Sequence, residues 1–176
     1  MRCAIASGVA MMQPNSQGDD MRQVTTTVYK FSELSESAQD KALDQLGDIN
    51  VNHDWYQYTY DDANAIGLRI DSFDTGRSNS IEGALTMDAY EVMALIQKEH
   101  GESAPTYKLA QEFLLRNKAE DGSDEKEALE KEFEYALLEE YLSMLRGEVE
   151  YLQSREAIIE SLEANDYEFT KEGSLV

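Results

Sequence analysis

The chain has 176 residues, 41% of them hydrophobic, with 15 Lys and Arg against 36 Asp and Glu and a net charge of −21. That length and apolar content suit a folded domain with its own core rather than a disordered acidic tail. So many uncompensated carboxylates repel phosphates, which argues against direct nucleic-acid or anionic-membrane binding and points to basic protein surfaces as partners. A single cysteine, Cys3, rules out an internal disulfide, and the two histidines, His53 and His100, are too few for a zinc site built from His and Cys. No apolar run approaches the roughly 18 to 20 residues of a membrane span, and a reducing cytoplasm is the expected compartment.

Residues 1–20, "MRCAIASGVAMMQPNSQGDD", differ from the rest. Arg2 and the apolar run from Cys3 to Met12 have the outline of a signal peptide, but the run is short and no cleavage site follows. Pro14, Asn15, Ser16 and Gly18 fit a flexible extension, with Met21 as an alternative start. The expected organisation is an extension over 1–20 and one domain over 21–176. "VTTTVYKF", Val24 to Phe31, reads as a strand from its β-branched and aromatic residues. Ser35 caps a helix through "ESAQDKALDQLG", with Ala38, Ala42, Leu43 and Leu46 inward and Gly47 ending it in the left-handed region.

"HDWYQYTYDDANAIG" admits two periods. Tyr56, Tyr58 and Tyr60 alternate as on a strand. Helical spacing instead aligns Trp55, Thr59, Asp62 or Ala63, and Ile66, with Tyr56 and Tyr60 as a neighbouring stripe, and the closing Gly67 favours a helix from about Asn52 to Ile66 with Trp55 buried and at least one tyrosine exposed. "LRIDSFD" alternates Leu68, Ile70 and Ser72 against Arg69, Asp71 and Phe73, and "IEGALT" returns across the loop "TGRSNS" to make a hairpin. Thr86 caps a helix through "MDAYEVMALIQKEHG" with Tyr90, Met93, Ala94 and Gln97 setting its period. Pro105 opens the next helix, "PTYKLAQEFLLRN". A polar loop, "KAEDGSDEK", leads into a long amphipathic helix from Glu125. Its stripe is Leu129, Phe133, Leu137, Tyr141, Leu145, Val149 and Leu152. Ser154 caps a last helix, and "DYEFT" returns as an edge strand. The expected class is α+β: a small, mainly antiparallel sheet packed with several helices, one of them long and acidic.

No P-loop, dinucleotide fingerprint, calcium loop or nucleophile elbow is present, so no cofactor or catalytic residue is implied. An alternative reading is a magnesium-dependent enzyme using Asp61, Asp62, Asp71, Asp74 and Glu82, since hard cations take carboxylates. The exposed loop around Arg77 reads as an ordinary hairpin connection. The partner-binding candidates are the acids Glu120, Asp121, Asp124, Glu125, Glu127, Glu130 and Glu134, with Tyr56 and Tyr60 as aromatic anchors. Helical neighbours three or four apart set carboxylates about 5 to 6 Å from one another, a scale suited to a protein that grips phosphates. Net −21 also exceeds the charge of about 2 to 8 that solubility asks of a small domain.

Two quoted segments carry a resemblance. "FSELSESAQDKALDQLGDINVNHDWYQYTYDDANAIGLRIDSFD" and "EYLQSREAIIESLEANDYEFTKEGSLV" resemble the two ends of a family of small acidic proteins encoded by phages and prophages, over about residues 29–176. The resemblance implies a mobile-element protein acting in the bacterial host cytoplasm and transfers no catalytic residues. With the charge, it gives the expected function: an anti-defence inhibitor, of the anti-CRISPR or antirestriction type, that occupies the basic surface of a host nucleic-acid-binding protein by mimicry. The alternative within the binding class is an antitoxin-like or regulatory module.

Overall fold

The computed structural model describes residues 26–116 and 123–176. Their elements run α1 (Glu36–Leu46), α2 (Gln57–Ala65), β1 (Leu68–Asp74), β2 (Ser80–Leu85), α3 (Ala89–Glu99), α4 (Pro105–Arg116), α5 (Asp124–Leu152) and α6 (Arg155–Ala164), with a 3₁₀ turn at Phe31–Glu33 before α1. This is an α+β fold whose sheet is a single antiparallel hairpin, β1 against β2.

A lone hairpin is marginal in water, and here the helices stabilise it. Gly67 turns the chain from α2 into β1 at a φ of 83°, a value that side chains resist. The base of the hairpin closes where Thr86 donates both its backbone N–H (2.8 Å) and its hydroxyl (3.0 Å) to the Gly67 carbonyl. Midway along β2, Gly83 lies under α5. A Cβ there would stand 2.2 Å from the Arg69 carbonyl oxygen and 2.9 Å from the Leu138 side chain, so only hydrogen fits between strand and helix.

The alternation expected for "LRIDSFD" holds for its first half only. Leu68 pairs with Leu85 and Ile70 with Gly83, but Ser72 pairs with Glu82 and Phe73 with Ile81, leaving Asp71 as a bulge. One extra residue inverts the inside–outside phase of everything beyond it. Phe73 therefore joins Leu68 and Ile70 on the core face, and Ser72 turns out to solvent.

Two apolar cores result. The larger is built from α2, the hairpin, α3, α4 and α5, around the fully buried Ile66, Leu68, Val92, Ile96, Leu137 and Tyr141. The smaller joins Phe31 and Leu34 to α1 and α6 through Ala42, Ile158, Leu162 and Phe169. It is closed by two antiparallel bridges that share one residue, Phe169 with Tyr29 and Phe169 with Leu175. Tyr29 and Phe169 exchange two backbone hydrogen bonds of 2.9 Å, and the Phe169 ring meets Phe31 edge-on at 6.2 Å.

Several local expectations are corrected. In the described part of Val24–Phe31 there is no strand, only the Tyr29 bridge. "DYEFT" likewise supplies Phe169 as a bridging residue and not an edge strand. Gly47 caps α1 in the right-handed region, at φ −54°. The helix expected from Asn52 begins at Gln57, after tight turns in which the Trp55 N–H bonds to the His53 carbonyl. Asn and Asp at positions 52 and 54 compete for backbone groups and favour such turns over helix. Trp55 is half-buried, packed edge-on against Phe73 at 5.8 Å, while Tyr58 is exposed as expected. The cap of α3 is Asp88, whose carboxylate accepts the Tyr90 N–H at 2.8 Å, because Thr86 is engaged with Gly67. The buried face of α3 is Ala89, Val92, Met93 and Ile96, and Ala94 faces solvent. The expected loop Lys118–Lys126 lies largely outside the described residues. Its last part is helical, with Ser123 capping α5 by accepting the Lys126 N–H. The Ser154 cap of α6 is as expected, accepting the Ala157 N–H at 3.2 Å.

Candidate functional site

Of the acids singled out in the sequence, Glu120 and Asp121 lie outside the described residues. Asp124, Glu125 and Glu127 occupy the exposed first turn of α5. There the positive end of the helix dipole stabilises carboxylates, so these three have a local structural role. Glu127 is also paired with Lys131 at 2.8 Å, which pulls its carboxyl below the ordinary glutamate value through the hydrogen bond. Glu130 is half-buried, 3.8 Å from the Lys126 ammonium. Glu134 is turned inward to accept the Leu85 N–H at 2.9 Å, tying α5 to β2.

The outer line of α5 is Glu125, Glu132 and Glu139, all exposed and seven residues apart. At 1.5 Å rise per residue their spacing is about 10.5 Å. Glu132 is met by the two terminal guanidinium nitrogens of Arg116, each at 2.7 Å. A denser row runs along α1. Glu36, Asp40 and Asp44 are exposed and four residues apart, about 6 Å per step, and the exposed Asp48 follows in the turn beyond the helix. Asp40 pairs with Arg155 at 3.1 Å and Asp48 accepts from Gln153, whereas Glu36 and Asp44 carry no ion pair among the described residues. The i, i+4 spacing was the signal that could have revealed this row.

Tyr56 and Tyr60 belong to a half-buried cluster with Trp55 and Phe73, ring centroids 5.0 to 6.0 Å apart. The rings fill the space between α2 and the hairpin tip, so the cluster is first a packing unit. The Tyr56 hydroxyl donates to Asp54 at 3.2 Å, and that bond raises its phenol above the ordinary value. Burial does the same at Tyr60.

The acids offered as metal ligands do not converge. Asp61 accepts from Gln57, Asp71 from Arg69, Asp74 from Gly76 and Ser78, and Glu82 from Ser72. Among the described residues no three His, Cys, Asp or Glu side chains gather as a metal site would require. No helix among them is long and apolar enough to cross a membrane.

Asp62 stands apart from the other acids. Its Oδ2 accepts the Tyr141 hydroxyl at 2.7 Å, and its Oδ1 lies 3.4 Å from His100 Nε2. His100 Nδ1 in turn lies 2.6 Å from the hydroxyl of the buried Thr106. Burial, reinforced by the bond to Asp62, pushes the Tyr141 phenol far above its ordinary value and keeps it protonated. Side chains from α2, α4, α5 and the α3–α4 link thus meet in one polar junction. An open cleft of about 230 Å³ borders it.

No family model matches the chain, and neither a curated protein nor a solved structure matches it.

Proposed function

We propose that the protein is a non-enzymatic, phage-encoded accessory factor that binds the basic surface of a host nucleic-acid-binding defence protein, in the bacterial cytoplasm, and so keeps nucleic acid off it. The observation that carries this reading is the arrangement of exposed carboxylates in rows on two helices of a chain with net charge −21. The rows are sparser than duplex DNA, which carries one phosphate charge per roughly 1.7 Å of axis. The protein therefore competes for the basic surface through spaced point contacts rather than by copying phosphate density. The likeness of both chain ends to small acidic phage proteins supports the biological setting.

Long-range attraction between exposed charges is screened within about 10 Å at 0.1 M salt. A pull-down from host lysate at low salt is expected to recover a basic nucleic-acid-binding protein, released by raised salt and displaced by added DNA. Recovery of no such protein, or retention that ignores both salt and DNA, rules the reading out.

A further inference from the structure

Helices α4 and α5 leave a groove along their shared seam. Phe113 and Phe133 stack across it at 4.5 Å and form its floor, with the half-buried Leu109, Leu129 and Ala136 beside them. The space is about 70 Å³, room for the end of an apolar side chain, and its floor gives water none of the two to four polar partners that hold it in place. The groove opens between the exposed side chains of Glu112, Arg116 and Glu132. A second observation concerns charge. Arg116 is the one cation lining the groove, and it is held 2.7 Å from Glu132 and 3.8 Å from Glu112. Glu125 and Glu139 lie on the same side of α5 as Glu132 and Ala136, since positions seven apart, and three or four apart, share a helix face. The α5 ion pairs among the described residues are made by Glu127, Glu130 and Glu132, which leaves the exposed Glu125 and Glu139 without a cation. An apolar floor thus runs beside four carboxylates answered by one arginine.

We infer that this groove is a docking site for a basic amphipathic helix of the partner, laid along the seam of α4 and α5. The inference rests on the reading of the protein as a binder of basic surfaces. An amphipathic helix seats its apolar face in such a groove through side chains three and four residues apart. Here they pack on Leu109, Leu129 and Ala136, while lysines or arginines on the flank of that helix reach Glu125 and Glu139. At 1.5 Å rise per residue those two carboxylates are about 21 Å apart, so the matching cations stand roughly fourteen residues apart on a helix running alongside. A basic loop without an apolar stripe leaves the floor uncovered, and an acidic helix is repelled by the rim. A second copy of this chain fits poorly, because it brings a further net charge of −21 against the same acids.

The probe is a synthetic leucine–lysine helix of roughly 20 residues, about 30 Å long, with its leucines at steps of three and four. It is added to the full chain while the methyl NMR signals of Leu109, Leu129 and Ala136 are followed. These are expected to shift saturably, with a Kd on the order of 10 μM, and the methyls of Leu162, in the smaller core, to stay in place. A peptide of the same composition in shuffled order, and a leucine–glutamate helix, are expected to leave all of them unmoved. Ala136→Glu is the most telling variant. It adds a carboxylate at the groove, so attraction by charge alone tightens the peptide, whereas seating in the seam weakens it by about tenfold. Reversing charge with Glu125→Lys and Glu139→Lys together, both at exposed positions, should also cost about tenfold and keeps the test open if the Ala136 variant folds poorly. Equal binding of the shuffled peptide, tighter binding by Ala136→Glu, or unchanged binding after the charge reversal overturns the groove. So does a dimer in sedimentation that Ala136→Glu dissolves, since a second copy would then fill the seam. The low-salt pull-down repeated with these variants separates the two readings. A partner recovered equally by parent and variants sinks the groove and leaves the binding function standing. No partner at all, with the leucine–lysine helix still held at Leu129 and Ala136, sinks the binding function and leaves the groove as a receptor for basic helices of another kind.

Discussion

The two cores are held by different means. The larger is assembled from helices and a hairpin that follow one another along the chain, and its buried residues recur at regular periods. The smaller brings together segments from opposite ends of the described chain, and its closure gathers at one residue, Phe169, which bridges Tyr29 and Leu175 and meets the Phe31 ring. Regular elements spread stability over many contacts. A closure made at one residue concentrates it there, and such regions open independently of the rest.

Phe169→Ala should show this most strongly. Removing a fully buried aromatic costs about 3 to 5 kcal/mol. Hydrogen exchange should report the loss in α1 and α6 while β1, β2 and α5 stay protected. Equal loss in both cores would mean that they unfold as one unit and would break the comparison. A smaller effect, roughly 1 to 3 kcal/mol, is expected in the larger core from Gly83→Ala, because the new methyl meets the Arg69 carbonyl and Leu138. Urea denaturation of this variant at parent stability would show that α5 does not clamp the hairpin.

The smallest effect is a matter of pH. The folded Tyr141 phenol loses its proton at higher pH than the unfolded one, through burial first and Asp62 second. Its contribution is fully present below the unfolded value of about 10 and is lost as pH rises beyond it. Tyr141→Phe should cost about 1 kcal/mol at neutral pH and flatten the alkaline fall in stability. An unchanged alkaline limb in the variant would place that titration elsewhere.

Most of the larger core was legible because its elements announce themselves locally. "LRIDSFD" and its return strand, the Gly67 turn and the Pro105 start each depend on residues within a few positions. The failures share a physical cause. Asp71 is an ordinary strand residue until its pairing with β2 makes it a bulge. Thr86 and Asp88 are both good caps, and the choice falls to Asp88 because Gly67, nineteen positions before Thr86, claims the threonine hydroxyl. The strands expected near Tyr29 and Phe169 have the right composition, but their pairing stops at isolated bridges, Tyr29 with Phe169 and Phe169 with Leu175. The candidate acids were legible as charge and not as geometry. Nothing near Glu134 shows that it turns in to Leu85, and Asp62 meets Tyr141 across 79 positions. The aromatic run proved to be mainly packing, as its partner Phe73 became available only through the bulge.

The Tyr29–Phe169 pair also decides how this protein responds to force. Because the pair is antiparallel, the chain leading into Tyr29 and the chain leaving Phe169 emerge on the same side. Phe169 is also bridged antiparallel by Leu175, so the chain doubles back and leaves at Val176 on the opposite side; tension between residues 29 and 176 therefore slides these segments along one another and loads their hydrogen bonds together, instead of peeling them open in succession. The small core yields first under a pull, and the hairpin, whose two strands lie away from both loaded ends, bears load only after α1 and α6 have parted.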